Sequence, residues 1–365
     1  VRVSHPGTFS GRYLMFKNPL SNFTDPFGLV GRMLKSGHPA AYAALFREGL
    51  RLGAIPVDSV LSVFEKRIQA KCASSQLPLV FIVGAPRSGT TLVYQALSAF
   101  LDVTCPTNLT AMFPKSPLTA ARLQRLIPWA ARPDFKNFYG QTTRFRGPND
   151  AFHLWNRWLG EDRYLPAQDI SDDAATEMCS FFDAWTSVFG KPLLNKNNRN
   201  AFAVELLGKA LPNARFVVER RNPLFVAQSL IVARENIQGD KSLAWGLQSA
   251  SITEAGDPLA YVDEVCRQVI DIDVEMDRQL ATVADSRILN LTYEGFCENP
   301  GKSIKSIADK FDGLQLNPRL NVAELPPFKV SQKLSISEEE QVRVRECLSG
   351  GQAKYELMSA AAITL

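Results

Sequence analysis

The stretch Phe81–Thr91, FIVGAPRSGTT, runs an apolar segment straight into a turn bracketed by Gly84 and Gly89. It nearly spells the phosphate-binding pattern G-x-x-x-x-G-K-[ST], but Thr90 stands where the lysine belongs and Arg87 supplies a cation three positions earlier. The preceding residues are apolar throughout, which predicts a fully buried strand over 78–84. TTLVYQALSAFL from Thr90 predicts a helix. A helix N-terminus after such a turn offers unpaired N–H groups and partial positive charge to an anion. Gly84 and Gly89 allow close approach; Ser88, Thr90 and Thr91 add hydroxyl donors; Pro86 opens the turn; Arg87 adds a forked guanidinium. With the lysine gone, the usual contact to the terminal phosphates of ATP is missing.

Outward from this unit, strands alternate with helices. KPLLNK, ARFVVE and SRILNLTYE read as strands, while NAFAVELLGKAL, PLFVAQSLIVAREN, YVDEVCRQVIDIDVEMDRQLATV and GKSIKSIADKF read as helices. This rhythm predicts an α/β fold: a central parallel sheet with helices on both faces, like that of P-loop nucleotidases, with ligands at one edge. Residues 102–190 break the rhythm and read as a helical insertion or cap on the substrate side, with turns around Arg132 and Pro133. AAYAALFREGLRL and DSVLSVFEKRIQ predict two N-terminal helices. SEEEQVRVRECL predicts a helix capped by Ser337. One domain over 1–365 is expected: an N-terminal helical segment to residue 77, the loop unit at 78–100, the insertion, the rest of the core at 191–348 and a tail at 349–365.

Composition excludes several classes. Of the 365 residues 45% are apolar and 21% charged, with a formal net charge of +4, the balance of a globular protein with a sizeable core. No basic run supports a nucleic-acid arm or a polybasic membrane patch. Six scattered cysteines without a C-x-x-C pair read as reduced thiols. His5, His38 and His153 have no metal spacing, so no metal site is expected. No apolar run approaches the length of a membrane span. A cytoplasmic protein is the expectation, with an upstream targeting segment left open.

A second anion site follows ARFVVE. In RRNPLFVAQS, Asn222 reads as an N-cap, Pro223 as the first helical residue and Arg221 as a cation at that helix N-terminus. Ser229 lies two turns on. Two anion sites at neighbouring strand ends point to a nucleoside with phosphates at both ends.

These blocks resemble the sulfotransferase family that uses 3′-phosphoadenosine 5′-phosphosulfate (PAPS), in its bacterial and Golgi-type branches. Pro86–Thr91 matches the family's P-[KR]-[SA]-G-T-[TS] loop, which binds the 5′-phosphosulfate. Arg221, Asn222, Pro223 and Ser229 match its 3′-phosphate block. LTYEGFCENPGKSI matches a third block, whose tyrosine, here Tyr293, lies near the nucleotide. The resemblance runs in order from Pro78 to Leu348. It implies PAPS as cosubstrate, 3′-phosphoadenosine 5′-phosphate (PAP) as product, metal-independent in-line transfer to a hydroxyl or amine acceptor, and Arg87 beside the P–O–S bridge.

Lys196 matches the family lysine that contacts the sulfate, but Asn198 falls where cytosolic members carry the basic histidine. CPTNLTAMF lacks the glutamate of other branches. Asp150 and His153 are therefore the candidates for the base, with Glu161 and Asp162 behind them; Asp150 also reads as an N-cap, and His153 as a packed residue beside Phe152 and Trp155. Trp129, Trp155, Trp158 and Trp185 could stack on a sugar or simply pack, so the acceptor is read as a carbohydrate or other small hydroxylated metabolite. Two other readings stay open: a P-loop kinase or nucleotidase with a degenerate lysine, and a non-catalytic PAP-binding protein.

Overall fold

The computed structural model describes residues 23–362 apart from 73, 127–133, 168 and 248–256. His5, Trp129 and the turn at Arg132 and Pro133 lie outside the described residues. Helices α1 (Pro26–Lys35) and α2 (Pro39–Lys71) precede β1 (Leu79–Val83) and α3 (Thr90–Phe100). The insertion holds α4 (Pro117–Arg125), a hairpin of β2 (Asn137–Phe138) and β3 (Gln141–Thr142), α5 (Phe152–Leu159) and α6 (Asp172–Phe189). The core resumes with β4 (Leu193–Lys196), α7 (Val204–Ala210), β5 (Ala214–Arg220), α8 (Pro223–Ala233), α9 (Ala260–Leu280), β6 (Ile288–Thr292), α10 (Tyr293–Glu298), α11 (Pro300–Lys310) and α12 (Glu338–Ala362).

The four long strands form one parallel sheet in the order β4-β1-β5-β6. Alternate residues of β1 and β5 enter opposite cores, as the two-residue period of a strand requires. Phe81, Val83, Phe216 and Val218 pack toward α5, α6, α8 and α9, whereas Val80, Ile82 and Val217 pack toward α3 and α11. Both faces are therefore covered, which explains the uninterrupted apolar run of β1.

Two readings of helices are corrected. The two N-terminal helices are one 33-residue helix, α2, with Pro56 inside it. Proline removes one backbone hydrogen bond, but buried acids anchor the part of the helix that follows Pro56. Asp58 accepts from Lys115 N (3.1 Å) and Ser116 Oγ (2.6 Å); Glu65 accepts from Leu118 N (2.9 Å) and Thr119 N (2.8 Å) at the start of α4. An anionic side chain there answers the unpaired N–H groups of that helix. NAFAVELLGKAL also starts late: Asn198–Phe202 form a 3-10 turn before α7.

The predicted caps form. Asn222 Oδ1 accepts from Leu224 N at 3.0 Å with Pro223 opening α8. Ser337 caps α12 through Glu340 N (3.2 Å), and Glu340 returns a carboxylate to Ser337 N (2.6 Å), a reciprocal capping box. That helix runs on to Ala362, through most of the expected tail. All six cysteines are free. No helix among the described residues is long and apolar enough to cross a membrane.

Candidate active site

The loop after β1 wraps the N-terminus of α3. A Cβ on Gly84 would lie 2.5 Å from Glu219 O, so the backbone of the neighbouring strand leaves room for glycine alone. Gly89 caps α3 in the left-handed region (φ 111°), and a Cβ there would meet Tyr293 Cδ2 at 2.3 Å. Arg87 also has positive φ (74°), an uncommon conformation for a side-chain-bearing residue. Ser88 Oγ is buried without a partner among the described residues. Thr90 and Thr91 line the cleft, while Pro86 is buried close to Gly246.

Each strand of the sheet contributes to this cleft at or just after its C-terminal end: Arg87 after β1, Lys196 at the end of β4, Arg221 after β5 and Tyr293 after β6. In an open α/β sheet this is where ligands bind. Arg87 Nε donates to Ser229 Oγ at 2.9 Å, and its guanidinium lies over the Tyr139 ring at 4.8 Å. Arg221 donates to Arg87 O (3.2 Å) and Ser331 O (2.6 Å) and lies over the Tyr293 ring at 4.5 Å. Its neighbour Arg220 turns away, pairing with Asp273 and Asp277 of α9. Burial lowers the pKa of both Arg87 and Lys196, and raises that of the Tyr293 phenol to about 12.

The main chamber has a volume of about 450 Å³, within the range of small-molecule sites. A smaller chamber of about 130 Å³ adjoins it, and Tyr139, Lys196, Asn198 and Trp245 line both. Asp150 lines the smaller chamber with Oδ2 3.9 Å from Lys196 Nζ. It is not an N-cap. Ala151 takes that position in the left-handed region, and Asn149 Oδ1 accepts from Ala151 N at 2.7 Å.

The structure does not bring His153 to the cleft. It lines neither chamber, and its electrostatic neighbours are Arg51 and Glu48 of α2 together with Arg163 and Arg199. Burial, reinforced by Arg51, lowers its pKa to about 4. Asp162 is engaged in a turn, accepting from Tyr164 N (2.7 Å) and Leu165 N (3.2 Å), and Glu161 is exposed and lines neither chamber. Trp155, Trp158 and Trp185 are buried in the aromatic core around Phe81, Phe181 and Phe182, so none is a stacking platform. Among the described residues, Trp245 is the tryptophan that reaches the cleft.

Several site residues were not singled out by the sequence reading. Tyr139 and Gly140 form a two-residue hairpin loop with both φ positive (46° and 91°), the geometry that matches the twist of the flanking strands. That strained tyrosine carries the Arg87 contact; an aromatic–glycine pair between short polar segments was the available signal. Lys329 and Lys333 line the cleft from the non-helical segment before α12. Glu219, in β5, is fully buried, and neither carboxylate oxygen has a hydrogen-bond partner among the described residues. Burial pushes its pKa well above the carboxylate range, against the opposing pull of Arg221 and Lys196.

Comparison with known proteins accords with this geometry. The model of the sulfotransferase family matches residues 78–318. Among solved structures, sulfotransferase STF1 from Mycobacterium tuberculosis H37Rv is similar at 14% identity and TM-score 0.50, covering 88% of this chain and 91% of that one. Sulfotransferase STF9 from Mycobacterium avium is similar at 15% identity and TM-score 0.48, covering 80% and 72%. A search of curated proteins finds no match. A parallel four-stranded sheet with its cleft at the strand ends, and a family match spanning all four strands, lead to one statement: the chain belongs to the sulfotransferase family.

Proposed function

We propose that the protein transfers a sulfuryl group from PAPS to a hydroxyl acceptor. The observation that carries this reading is the convergence of Arg87, Lys196 and Arg221 on one cleft at three neighbouring strand ends. The loop at 84–91 would hold the 5′-phosphosulfate, and Arg221 with Ser229 the 3′-phosphate. PAPS, once bound, supplies the electrophilic sulfur and a leaving phosphate.

In the transfer, a bond forms between the acceptor oxygen and sulfur. The bond from sulfur to the 5′-phosphate oxygen breaks, its electron pair stays on PAP, and the acceptor proton passes to Asp150. Negative charge grows on the departing phosphate, where the fixed Arg87 guanidinium and the Lys196 ammonium act most strongly. Arginine keeps its proton at working pH, so Arg87 stabilises charge without acting as an acid. Lys196 lies beside both the leaving-group loop and Asp150, which suits it to join the two halves of the reaction. Asn198 lines both chambers with Oδ1 buried and unpartnered among the described residues; an amide there can orient an acceptor hydroxyl but cannot accept its proton.

Titration calorimetry with PAP, AMP and magnesium–ATP tests the reading. PAP is expected to bind tightest and without magnesium. Equal affinity for AMP would remove the 3′-phosphate assignment, and magnesium-dependent ATP binding would favour a kinase. Tight PAP binding with no transfer to any acceptor would favour a non-catalytic binder.

A further inference from the structure

The smaller chamber differs from the nucleotide cleft in one respect: it holds a cation that no carboxylate among the described residues pairs with. Arg163 lines it, with Nε buried and without a hydrogen-bond partner among the described residues. Its guanidinium rests on aromatic rings, 4.1 Å from the Phe152 centroid and 5.0 Å from that of Phe23, and makes no ion pair among the described residues. The carboxylates whose fields it feels, Asp150 and Glu48, are paired elsewhere, with Lys196 and Arg51. Arg199, whose guanidinium also lies over the Phe152 ring at 4.0 Å, is spent on the fold: it donates to Gly160 O and Phe152 O at 2.7 Å each. A half-buried guanidinium whose Nε has neither anion nor acceptor is costly to keep unless a ligand completes it. Lys196 and Asp150, at the same chamber, are taken up by the transfer chemistry proposed above.

Size and lining narrow the ligand further. A volume of about 130 Å³ is close to that of an engineered cavity of about 150 Å³ that admits benzene, so the chamber takes about one six-membered ring. Phe152, Tyr164 and Trp245 give it flat apolar faces.

Resting on the sulfotransferase reading, we propose that the acceptor is a single-ring hydroxy acid. Its hydroxyl meets Asp150 and Lys196, its ring fills the smaller chamber, and its carboxylate pairs with Arg163. Arg163 is thus the residue that selects acidic acceptors over neutral ones of the same shape.

The test uses the full chain saturated with PAP and three probes of matched size: 4-hydroxybenzoate, 4-hydroxybenzyl alcohol and 4-hydroxybenzylamine. Calorimetry is expected to show the acid binding about tenfold tighter than the alcohol, the scale of one charge-assisted pair, with the amine weakest. Arg163→Gln should bring acid and alcohol level while PAP affinity stays unchanged, which also shows that the variant is folded. Arg163→Lys, keeping the charge, should retain part of the preference. Equal binding of the three probes, no binding of any of them, or a preference that survives Arg163→Gln would overturn the proposal. Loss of the PAP signal in the wild-type protein would instead count against the nucleotide reading on which it stands.

Discussion

Arg87 Nε donates to Ser229 Oγ at 2.9 Å across a separation of 142 positions. This bond ties the loop after β1 to the second turn of α8, and Arg221 reinforces it by donating to Arg87 O. The two blocks read in the sequence as separate anion sites are thus one connected network in the protein.

Arg87→Ala should lower the turnover of PAPS by about 10²–10³, the usual cost of removing one donor aimed at transition-state charge. PAP affinity should fall much less. Steady-state kinetics beside PAP titration separates the two. Equal losses in both would mean that Arg87 binds the nucleotide without favouring the transition state.

Arg221→Ala should weaken PAP by about 10- to 100-fold, the scale of a hydrogen bond to a charged group, and leave AMP nearly unchanged. The discriminating quantity is the ratio of PAP to AMP affinity. A parallel fall in both would show that Arg221 acts only by bracing the loop through Arg87 O.

Asp150→Asn should reduce transfer by about 10²–10⁴ with PAP binding intact, because the amide cannot take the acceptor proton. His153→Ala should leave the rate near wild type. With its pKa lowered to about 4, His153 is neutral throughout the physiological range and should add no inflection near 6.5 to the pH–rate profile. A large loss in His153→Ala with the fold intact would reverse the two assignments.

Glu219→Gln should stabilise the protein increasingly as pH rises. The folded-state pKa of Glu219 is raised, so above the ordinary carboxylate pKa of about 4.3 the folded state holds a proton that the unfolded chain has lost. Wild-type stability therefore falls with pH from that point up to the folded pKa, and the glutamine variant lacks this loss. Thermal unfolding at pH 4, 6 and 8 should show Tm values that converge at pH 4 and diverge above it. A constant difference would mean that Glu219 is already ionised in the fold.

Gly89→Ala should cost well over about 1 kcal/mol in denaturant unfolding, since the left-handed backbone alone costs that much and the new Cβ meets the Tyr293 ring. An unchanged midpoint would show that the loop tolerates another conformation.

The sequence by itself determined the features whose causes are local. An unbroken apolar run made β1, and glycines at 84 and 89 made the phosphate turn. Asn222–Pro223 and Ser337–Glu340 started their helices, because caps and turns are settled within a few residues. It also supplied Arg87, Lys196, Arg221, Ser229 and Tyr293, which stand at fixed offsets from strand ends. Tertiary structure decided whatever depends on distant partners. It ran two expected helices together as α2 and anchored the part after Pro56 through acids buried against the start of α4. It turned His153 toward α2 and Asp150 toward Lys196, although only three positions separate them. It buried three of the insertion's tryptophans in the core and brought Trp245 and Tyr139 to the cleft and Arg163 to the smaller chamber beside it. A side chain's spacing along the chain sets its face on a helix, but what that face meets is set by the packing of the sheet and the insertion against it.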